Sequence, residues 1–402
     1  MVLDTPVKNK IINKDVFRAY DIRGQIGKEW CLNDIFHDAY LIGQAIGKQL
    51  VNRRSPEILL GRDGRISSEQ IAKNLTEGLL SVGCNVTDVG LTATPVVYFA
   101  LSHLKIPNAV MVTGSHNPPD HNGIKIVYEL SPLSGLVIET LYYDIIRQNF
   151  HSDLQGNYSK YREIIPQYQQ TIIENINLKK PLRVGIDSSN GATALFSESL
   201  FSQLGCEVHP LFCDLDGNFP NHSPDPTVPA NLDALIKLVK DNNLDLGIAF
   251  DGDGDRMIAV DNKGKLLWPD RIMILLAQDI LKSEPGARIV FDVKCSFLLP
   301  KAIREAGGQP SMCVSGHSIL KMQMKRLNAT MGGEFSGHIV LRDRWSDFDD
   351  GPYVAARFLE ILSKTDQTVS EIFDKIPNSY STSEFKLPVA SHEKANELVE
   401  QF

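Results

Sequence analysis

The sequence predicts an α/β protein made of three similar α/β/α domains, with mixed, mainly parallel sheets around a central cleft. Three observations support this fold class: a strand–helix–strand pattern that occurs three times, a polar loop after a later strand in each copy, and a length of 402 residues. A chain of that length is too long for one hydrophobic core, so two or more compact units are expected.

Each copy of the pattern begins with an apolar strand that ends in an aspartate and a polar turn. These strands are "EILLGRDGR" (57–65), "LRVGIDSSNGA" (182–192) and "RIVFDVKCS" (288–296). A helical stretch follows in each copy, and then a second strand introduced by a glycine. Strands that alternate with helices indicate βαβ units, whose strands are parallel.

The first of these helices has a clear predicted start. Ser67 and Gln70 have the spacing of a capping box, in which two side chains satisfy backbone N–H groups at the start of a helix. Ile71, Leu75 and Leu79 then recur on one helical face. This periodicity predicts an amphipathic helix that packs on the sheet.

A polar loop follows a later strand in each copy: "TGSHNPP" in the first, "AFDGDGDR" in the second and "GGEFSGH" in the third. Ligands of open α/β sheets bind beyond the carboxyl ends of the strands. We therefore expect the three loops to face one shared cleft.

The acidic loop "DGDGDR" carries the strongest chemical signal. Asp251, Asp253 and Asp255 alternate with glycines, so the three carboxylates can converge on one hard cation. Magnesium fits best, because it takes few protein oxygens and leaves room for phosphate or water. Calcium in an EF-hand loop is the rival, but that loop needs a glycine where Arg256 stands and a glutamate where Asn262 stands. A solvated acidic turn is the remaining alternative.

The serine loop places Ser115 and His116 directly after an apolar strand, and two prolines restrict the turn that follows. A hydroxyl in this position is a candidate nucleophile, although serine is also common in turns. Lys125, ten residues after the serine, is a candidate for neutralising a phosphate or moving a proton.

The third loop combines a carboxylate, a hydroxyl and an imidazole in Glu334, Ser336 and His338. Sugar hydroxyls need both hydrogen-bond donors and acceptors, which these groups supply. The alternative is a glycine-rich turn that is polar without binding anything.

The composition is that of a globular protein, with 43% apolar and 22% charged residues. The formal net charge of −8 and the absence of basic runs argue against nucleic acid as the main partner. Neither a signal-peptide h-region nor a run of membrane-spanning length is found, so we expect a cytoplasmic protein with no membrane partner. Six cysteines without a CxxC pair argue against structural zinc and a disulfide framework.

From "VFRAYDIRG" (16–24) to about residue 400, the chain resembles the α-D-phosphohexomutase superfamily, and most closely its bacterial phosphomannomutase/phosphoglucomutase branch. The shared motifs stand in the same order: "TGSHNPPDHNGIKI", "DLDGNFPNHSPDPTVPANL", "AFDGDGDR", "DVKCS", "GHS" and "GGEFSGH". The phenylalanine of "GEFSGH" and the "TGSHNPP" form of the serine loop favour mannose and glucose phosphates over glucosamine phosphates.

The resemblance implies a role for each candidate residue. Ser115 would carry a phosphoryl group, and it would hold Mg²⁺ together with Asp251, Asp253 and Asp255. A phosphoserine brings about −1.5 to −2 charges, so three carboxylates beside it require a divalent ion. The residues for the proton of the sugar hydroxyl would be Lys125 and Arg23, and the residue supporting the phosphoserine would be His116. The contacts to substrate phosphate and sugar would be Tyr20, Arg256, Lys294, His317, Glu334, Ser336 and His338.

The resemblance also implies the reaction. A phosphoserine enzyme would interconvert hexose 1-phosphate and hexose 6-phosphate through a 1,6-bisphosphate that turns end for end in the cleft. The expected cofactors are Mg²⁺ and a hexose 1,6-bisphosphate that serves as activator and intermediate. The expected partners are small hexose phosphates of mannose or glucose, and the expected state is a monomer or a weak homo-oligomer.

The family's fourth domain carries an Arg-x-Ser-Asn/Gly-Thr-Glu-Pro loop that clamps the far phosphate, and residues 377–402 resemble only the first strand and helix of that domain. We therefore expect the start of a truncated fourth α+β domain. Two alternative functions follow: a sugar-phosphate phosphatase, or an inactive truncated sugar-phosphate binder. The expected units are a phosphoserine-loop domain (1–163), a metal-binding-loop domain (164–263), a sugar-binding-loop domain (264–376) and a fragment of the C-terminal phosphate-binding domain (377–402).

Overall fold

The computed structural model describes residues 12–30, 35–147, 150, 152–377, 388–389 and 392–400. The first part of the chain contains β1 (Ile22–Gln25), α1 (Ile35–Asn52), β2 (Glu57–Arg62), α2 (Ser68–Ser81), β3 (Asn85–Leu91), α3 (Thr94–His103), β4 (Ala109–Val112), β5 (His121–Tyr128), β6 (Ser131–Pro132), α4 (Leu136–Arg147) and β7 (Tyr158–Lys160). These strands form one sheet in the order β1-β5-β4-β2-β3-β7, with β6 beside β5.

The middle part forms a second sheet in the order β12-β11-β10-β8-β9. Its elements are α5 (Ile164–Asn175), β8 (Arg183–Asp187), α6 (Ser197–Gln203), β9 (Glu207–Leu211), α7 (Asp233–Asp241), β10 (Leu246–Phe250), β11 (Met257–Asp261) and β12 (Leu266–Leu267). The hairpin of β11 and β12 belongs to this sheet, so we propose that the second unit ends after Leu267 rather than at residue 263.

The last part forms a third sheet in the order β14-β13-β15-β16. Its elements are α8 (Pro269–Ser283), β13 (Arg288–Asp292), α9 (Leu298–Glu305), β14 (Gln309–Cys313), α10 (His317–Leu327), β15 (Met331–Gly333), β16 (Ile339–Leu341), α11 (Gly351–Ser363), α12 (Val369–Phe373) and α13 (His392–Glu400). Most of the predicted fourth-domain fragment lies outside the described residues, but its expected terminal helix is α13, where Leu398 and Val399 are exposed.

The three sheets share one four-stranded arrangement, which confirms the predicted repeat. In each, the first strand of the copy lies between the second and the third, and an antiparallel fourth strand follows, as in β3-β2-β4-β5, β9-β8-β10-β11 and β14-β13-β15-β16. The first three strands of each set are parallel to one another. The three polar loops therefore leave the carboxyl ends of equivalent strands.

The predicted capping box at the start of α2 is wrong. Ser67 is the residue that precedes the helix, but its side chain makes no bond to the helix backbone. Its Oγ instead accepts a hydrogen bond of 2.8 Å from Nδ2 of Asn122, a buried side chain in β5. The buried amide of Asn122 needs a hydrogen-bond partner within the protein, and this requirement outweighs the stabilisation that a side-chain cap would give the helix. The apolar face of α2 is confirmed, since Ile71, Leu75 and Leu79 are fully buried.

One apolar cluster runs through all three units. It includes Val97 of α3, Phe250 of β10 and Phe358 of α11, all fully buried. Between the first and third units, the rings of Tyr98 and Phe348 stack with their centroids 4.4 Å apart. The burial of large apolar side chains across the unit boundaries holds the three loops in a fixed relation to one another. No helix in the described part of the chain is long and apolar enough to cross a lipid bilayer.

His222 ties the segment after β9 to the end of β8, and it makes folding depend on pH. Its Nδ1 donates to the Ser223 carbonyl at 2.8 Å, and its Nε2 lies 3.0 Å from Asp187 Oδ2. Burial opposes the charged ring, but the hydrogen bond and charge of Asp187 outweigh burial and raise the pKa of His222. The stabilisation is therefore complete below about pH 6.5 and is lost as pH rises through the raised pKa.

We expect His222→Gln to lower the free energy of unfolding by about 2 kcal/mol at pH 6 and by less at pH 9, because the lost bond is charge-assisted only when the ring is protonated. Urea unfolding at several pH values measures this. His209→Gln is the matched control, since His209 pairs with the exposed Glu207. An equal loss at both pH values for His222→Gln would contradict the assignment of a protonated ring.

Candidate active site

The three polar loops meet in one cavity of about 440 Å³. All eleven side chains predicted to act in catalysis or substrate binding line it: Tyr20, Arg23, Ser115, His116, Lys125, Arg256, Lys294, His317, Glu334, Ser336 and His338. The three aspartates of the acidic loop lie beneath them and are fully buried. The structure therefore brings together residues from all three units, as the shared cleft requires.

Ser115 follows β4 at the start of the serine loop and is 1% exposed. Its backbone is in the left-handed region, with φ of 51°, a conformation that a non-glycine residue keeps only when its surroundings hold it. Its Oγ lies 3.2 Å from both Asp251 Oδ2 and His116 Nδ1. Burial, together with the charges of Arg256 and Arg23, lowers the pKa of His116, so this neighbouring ring is neutral at pH 7.

The acidic loop follows β10 and is fixed by both neighbouring units. Asp251 Oδ1 accepts the backbone N–H of Gly254 at 3.0 Å, which closes the turn. Thr94, the first residue of α3, donates its hydroxyl to Asp253 Oδ2 at 2.5 Å and its backbone N–H to the Asp253 carbonyl at 2.9 Å. Arg256 forms an isolated β-bridge with His338 of the third loop.

The electrostatics of the acidic loop indicate a missing positive charge. Burial, and then the charges of Asp255 and Asp253, raise the pKa of Asp251 well above its ordinary value. Lys125 Nζ contacts both Asp253 and Asp255, which outweighs its own burial and raises the pKa of the lysine. One lysine thus contacts two carboxylates, and the cation nearest to the third is Arg256, whose Nε lies 3.8 Å from Asp251 Oδ2. Three carboxylates against these two cations leave excess negative charge, which another cation would offset.

The three carboxylates fit a divalent cation. One oxygen from each of Asp251, Asp253 and Asp255 lies within 4.8 Å of the others, and Oδ1 of Asp253 and of Asp255 has no hydrogen-bond partner although it is buried. Oxygen ligands with this charge and burial match the preference of Mg²⁺.

A second cluster, made of Asp255, His338 and Asp349, is not arranged to bind a metal, because His338 has no free ring nitrogen to serve as a ligand. Arg256 donates Nε–H to His338 Nε2 at 2.9 Å, so the ring proton lies on Nδ1. That nitrogen faces Asp349 Oδ2 at 2.7 Å and offers no lone pair to a cation. Lys321 pairs with the other oxygen of Asp349. This network instead fixes the orientation of His338 at the edge of the cavity.

The third loop is arranged around the carboxylate of Glu334. Glu334 Oε1 accepts the backbone N–H of Gly316, and Oε2 lies 3.4 Å from the Ser336 hydroxyl. The aromatic ring of Tyr20 packs so closely on Gly316 that a Cβ there would lie 2.9 Å from the Tyr20 Oη. The glycine that precedes His317 is therefore required for Tyr20 to enter the cavity wall.

Phosphoglucomutase/phosphomannomutase domain models match the chain in three stretches: alpha/beta/alpha domain I at residues 14–150, domain II at 166–264 and domain III at 268–380. The chain belongs to the phosphoglucomutase/phosphomannomutase family. The resemblance recognised in the sequence is confirmed, and so is the expectation of three α/β/α domains with mixed sheets.

Similar members of this family come from several bacteria. The phosphomannomutase/phosphoglucomutase of Pseudomonas putida is 46% identical over 379 residues, which is 94% of this chain and 81% of that protein. The phosphoglucomutase of Neisseria meningitidis serogroup A is 42% identical over 391 residues, 97% of this chain and 84% of that protein. The crystal structure of a Burkholderia thailandensis phosphoglucomutase/phosphomannomutase family protein has 40% identity and a TM-score of 0.88, covering 92% of this chain and 81% of that one.

Several residues that line the cavity of this chain were not predicted from its sequence. Arg18, Asp21, Asp292 and Ser315 also line the cavity. A signal for Asp292 was present in the repeat, since each copy begins with a strand that ends in an aspartate. Asp292 accepts the backbone N–H of Phe335 at 3.1 Å, and the equivalent Asp63 accepts that of Gly114 at 3.3 Å. In the first and third units this aspartate anchors the functional loop.

Proposed function

We propose that this protein is a phosphohexomutase that interconverts hexose 1-phosphate and hexose 6-phosphate, with mannose or glucose as the sugar. One observation carries the proposal: the buried Ser115 hydroxyl lies in a cavity lined with cationic and hydrogen-bonding side chains, 3.2 Å from one of three converging carboxylates. The relatives that are 42–46% identical to this chain over the aligned residues are named phosphomannomutase/phosphoglucomutase and phosphoglucomutase, which supports the same reaction.

We propose the following first half-reaction. The bond between Ser115 Oγ and the phosphoryl group breaks while a bond forms to the free hydroxyl of the hexose phosphate, which yields the 1,6-bisphosphate. Lys125 takes the proton of that hydroxyl. The departing Ser115 Oγ carries the negative charge until the second half-reaction, and His116 Nδ1, 3.2 Å away, is the group within reach that would donate a hydrogen bond to it.

In the second half-reaction the bisphosphate has turned end for end. Ser115 Oγ attacks the other phosphoryl group, the bond from that group to the sugar oxygen breaks, and the proton held by Lys125 goes to this oxygen. Arg23 and Arg256 neutralise phosphate charge in the cavity, and Lys294 and His317 contribute the remaining phosphate contacts. Glu334, Ser336 and His338 bind the sugar hydroxyls, and Tyr20 forms the adjoining wall.

Mg²⁺ is the proposed cofactor, held by Asp251, Asp253, Asp255 and the Ser115 phosphoryl group, and when bound it offsets the charge that develops on the transferring phosphoryl group. Lys125 is protonated in the structure because Asp253 and Asp255 raise its pKa. With Mg²⁺ bound, those carboxylates would hold the lysine proton less strongly, and Lys125, once its own proton had passed to solvent, would accept the proton of the sugar hydroxyl.

Adding Mg²⁺ is expected to stabilise the protein by about 2.7 kcal/mol when its concentration is one hundred times the dissociation constant. Asp253→Asn should abolish most of this shift, because it removes a ligand charge from the site. Differential scanning calorimetry measures the effect. Asp261→Asn is the control: this buried aspartate caps a hairpin outside the site, so the shift should persist. An unchanged shift in Asp253→Asn would rule out the triad as the binding site.

The test of the function is to supply mannose 1-phosphate and glucose 1-phosphate with Mg²⁺ and a trace of glucose 1,6-bisphosphate, and to measure both 6-phosphate formation and free phosphate. Isomerisation well above phosphate release supports the mutase. Phosphate release equal to substrate consumption identifies a phosphatase instead, and binding without either product identifies an inactive sugar-phosphate binder. The bisphosphate requirement is tested in the same assay by omitting it.

Three further properties belong to this proposal. Small hexose phosphates are the partners, rather than nucleic acid or membranes, in agreement with the net charge of −8. The protein acts in the cytoplasm, where these metabolites occur. The proposed oligomeric state is a monomer or a weak homo-oligomer.

A further inference from the structure

We infer that Arg65 is the positioning residue for Ser115, and that the turn at residues 215–219 of the second unit shields the Arg65 guanidinium from water. This inference rests on the proposed phosphoserine function and concerns a residue that does not line the cavity. Arg65 stands behind the serine loop, after β2, and its side chain is fully buried. A buried guanidinium is costly unless every donor is satisfied, so its contacts indicate what it holds in place.

All five N–H donors of the Arg65 side chain have acceptors. Nε donates to Asp63 Oδ2 at 3.2 Å. The four donors on the two terminal nitrogens reach the backbone carbonyls of Ser115 at 2.7 Å, Asn117 at 2.7 Å, Pro118 at 2.5 Å and His121 at 3.0 Å. Three of these carbonyls belong to the serine loop, and the fourth, that of His121, belongs to the first residue of β5. One of the three is the carbonyl of the proposed phosphate carrier itself.

This contact pattern explains the unusual backbone of the loop. Four carbonyl dipoles converge on one cation, an arrangement that is repulsive without it. Holding the Ser115 carbonyl toward Arg65 maintains the left-handed backbone at that residue and directs its side chain to the opposite side, toward Asp251. Gly114 is needed for the close approach, because a Cβ there would lie 2.6 Å from Arg65 Cζ. Lysine has three donors on one atom and cannot reproduce the arrangement.

The turn at residues 215–219 of the second unit packs over the Arg65 guanidinium. The ring of Phe219 lies over the guanidinium, with Cζ 4.8 Å from the ring centroid. Leu215 packs on Gly64, and Gly217 approaches the Gly64 carbonyl so closely that a Cβ would lie 2.4 Å from that oxygen. This turn excludes water from Arg65, and in a dry environment its hydrogen bonds hold the loop more firmly. The same turn thereby couples the position of Ser115 to the docking of the second unit.

The test uses the full chain with Arg65→Lys and with the milder Phe219→Leu, which keeps an apolar cover but removes the ring face. A displacement of Ser115 Oγ by about 1 Å is expected to reduce kcat about 100-fold in Arg65→Lys, with KM within about threefold of the parent. The ratio of phosphate released to sugar isomerised should rise in both variants. A misplaced phosphoserine transfers its phosphoryl group to the sugar more slowly, while attack by water on the same phosphoserine does not depend on that alignment.

Arg357→Lys is the matched control. Arg357 is equally buried and pairs with Asp343, but it lies on α11 away from the cavity. It should lose thermal stability without a change in kcat, KM or the release ratio. Kinetic constants and a release ratio in Arg65→Lys that match the parent, with only the melting temperature lowered, would overturn the inference. If Arg65→Lys does not fold, an unchanged release ratio in Phe219→Leu overturns it, and a raised ratio supports it. A parent chain that does not isomerise sugar phosphates refutes the proposed function instead.

Discussion

Replacing Ser115 by alanine is expected to lower mutase turnover by about 10⁴-fold or more, because the substitution removes the atom that we propose carries the phosphoryl group between the two half-reactions. No other hydroxyl among the described cavity residues is placed next to the carboxylate triad as Ser115 is. Sugar-phosphate binding should change little, since the cationic and hydrogen-bonding groups of the cavity remain.

The measurement combines steady-state kinetics with intact-mass analysis after incubation with glucose 1,6-bisphosphate. The parent chain should gain one phosphoryl group and Ser115→Ala none. Ser188→Ala is the control: its buried hydroxyl bonds Ser197 Oγ at 2.8 Å in the second unit, outside the cavity. It should cost about 1 kcal/mol of stability and leave turnover unchanged. Phosphorylation of the Ser115→Ala chain at comparable extent would exclude Ser115 as the carrier.

Lys125→Met is expected to lower turnover but to raise the affinity for Mg²⁺. Turnover should fall about 10²- to 10⁴-fold, because the substitution removes the group that we propose moves the sugar proton. The affinity for Mg²⁺ should rise, because in the parent the ammonium competes with the cation for Asp253 and Asp255. Without added metal the variant should lose about 3–5 kcal/mol of stability, since two buried carboxylates are left without a partner charge.

Isothermal titration with Mg²⁺ and urea unfolding with and without the metal separate these effects. Lys321→Met is the matched control, because Lys321 is also buried and pairs with Asp349, which is not part of the triad. It should lose comparable stability without any gain in Mg²⁺ affinity. Weaker Mg²⁺ binding in Lys125→Met than in the parent would contradict the competition described here.

The parts of the structure that the sequence predicted are those encoded locally. The alternation of strand and helix, the glycine-rich acidic loop and the proline-bounded serine loop each lie within one short stretch, and each has a pattern that limits its conformation. The clustering of the three loops could also be predicted, because each loop leaves the carboxyl end of the equivalent strand in its own sheet, and α/β units bind ligands at that end.

The parts that could not be predicted depend on partners distant in the sequence. Ser67 has the spacing of a helix cap, but its hydroxyl oxygen accepts a hydrogen bond from Asn122, which lies 55 residues later in the sequence. Arg65 reads as one more charge in a polar turn, and only the fold shows that the serine loop closes around it. Asp349 lies in an acidic stretch without a motif, yet it fixes the orientation of His338. Tertiary hydrogen bonds of this kind leave no periodic signal in the sequence.

The apolar core that extends from α3 through β10 to α11 limits how such a protein can acquire new properties. Three units with the same strand order look like interchangeable copies, but each contributes side chains to the interior of its neighbours. A unit taken from another protein would arrive with mismatched contact surfaces and leave cavities or clashes at the junction. We therefore expect sugar preference to change more readily through substitutions in the three loops than through the exchange of whole units.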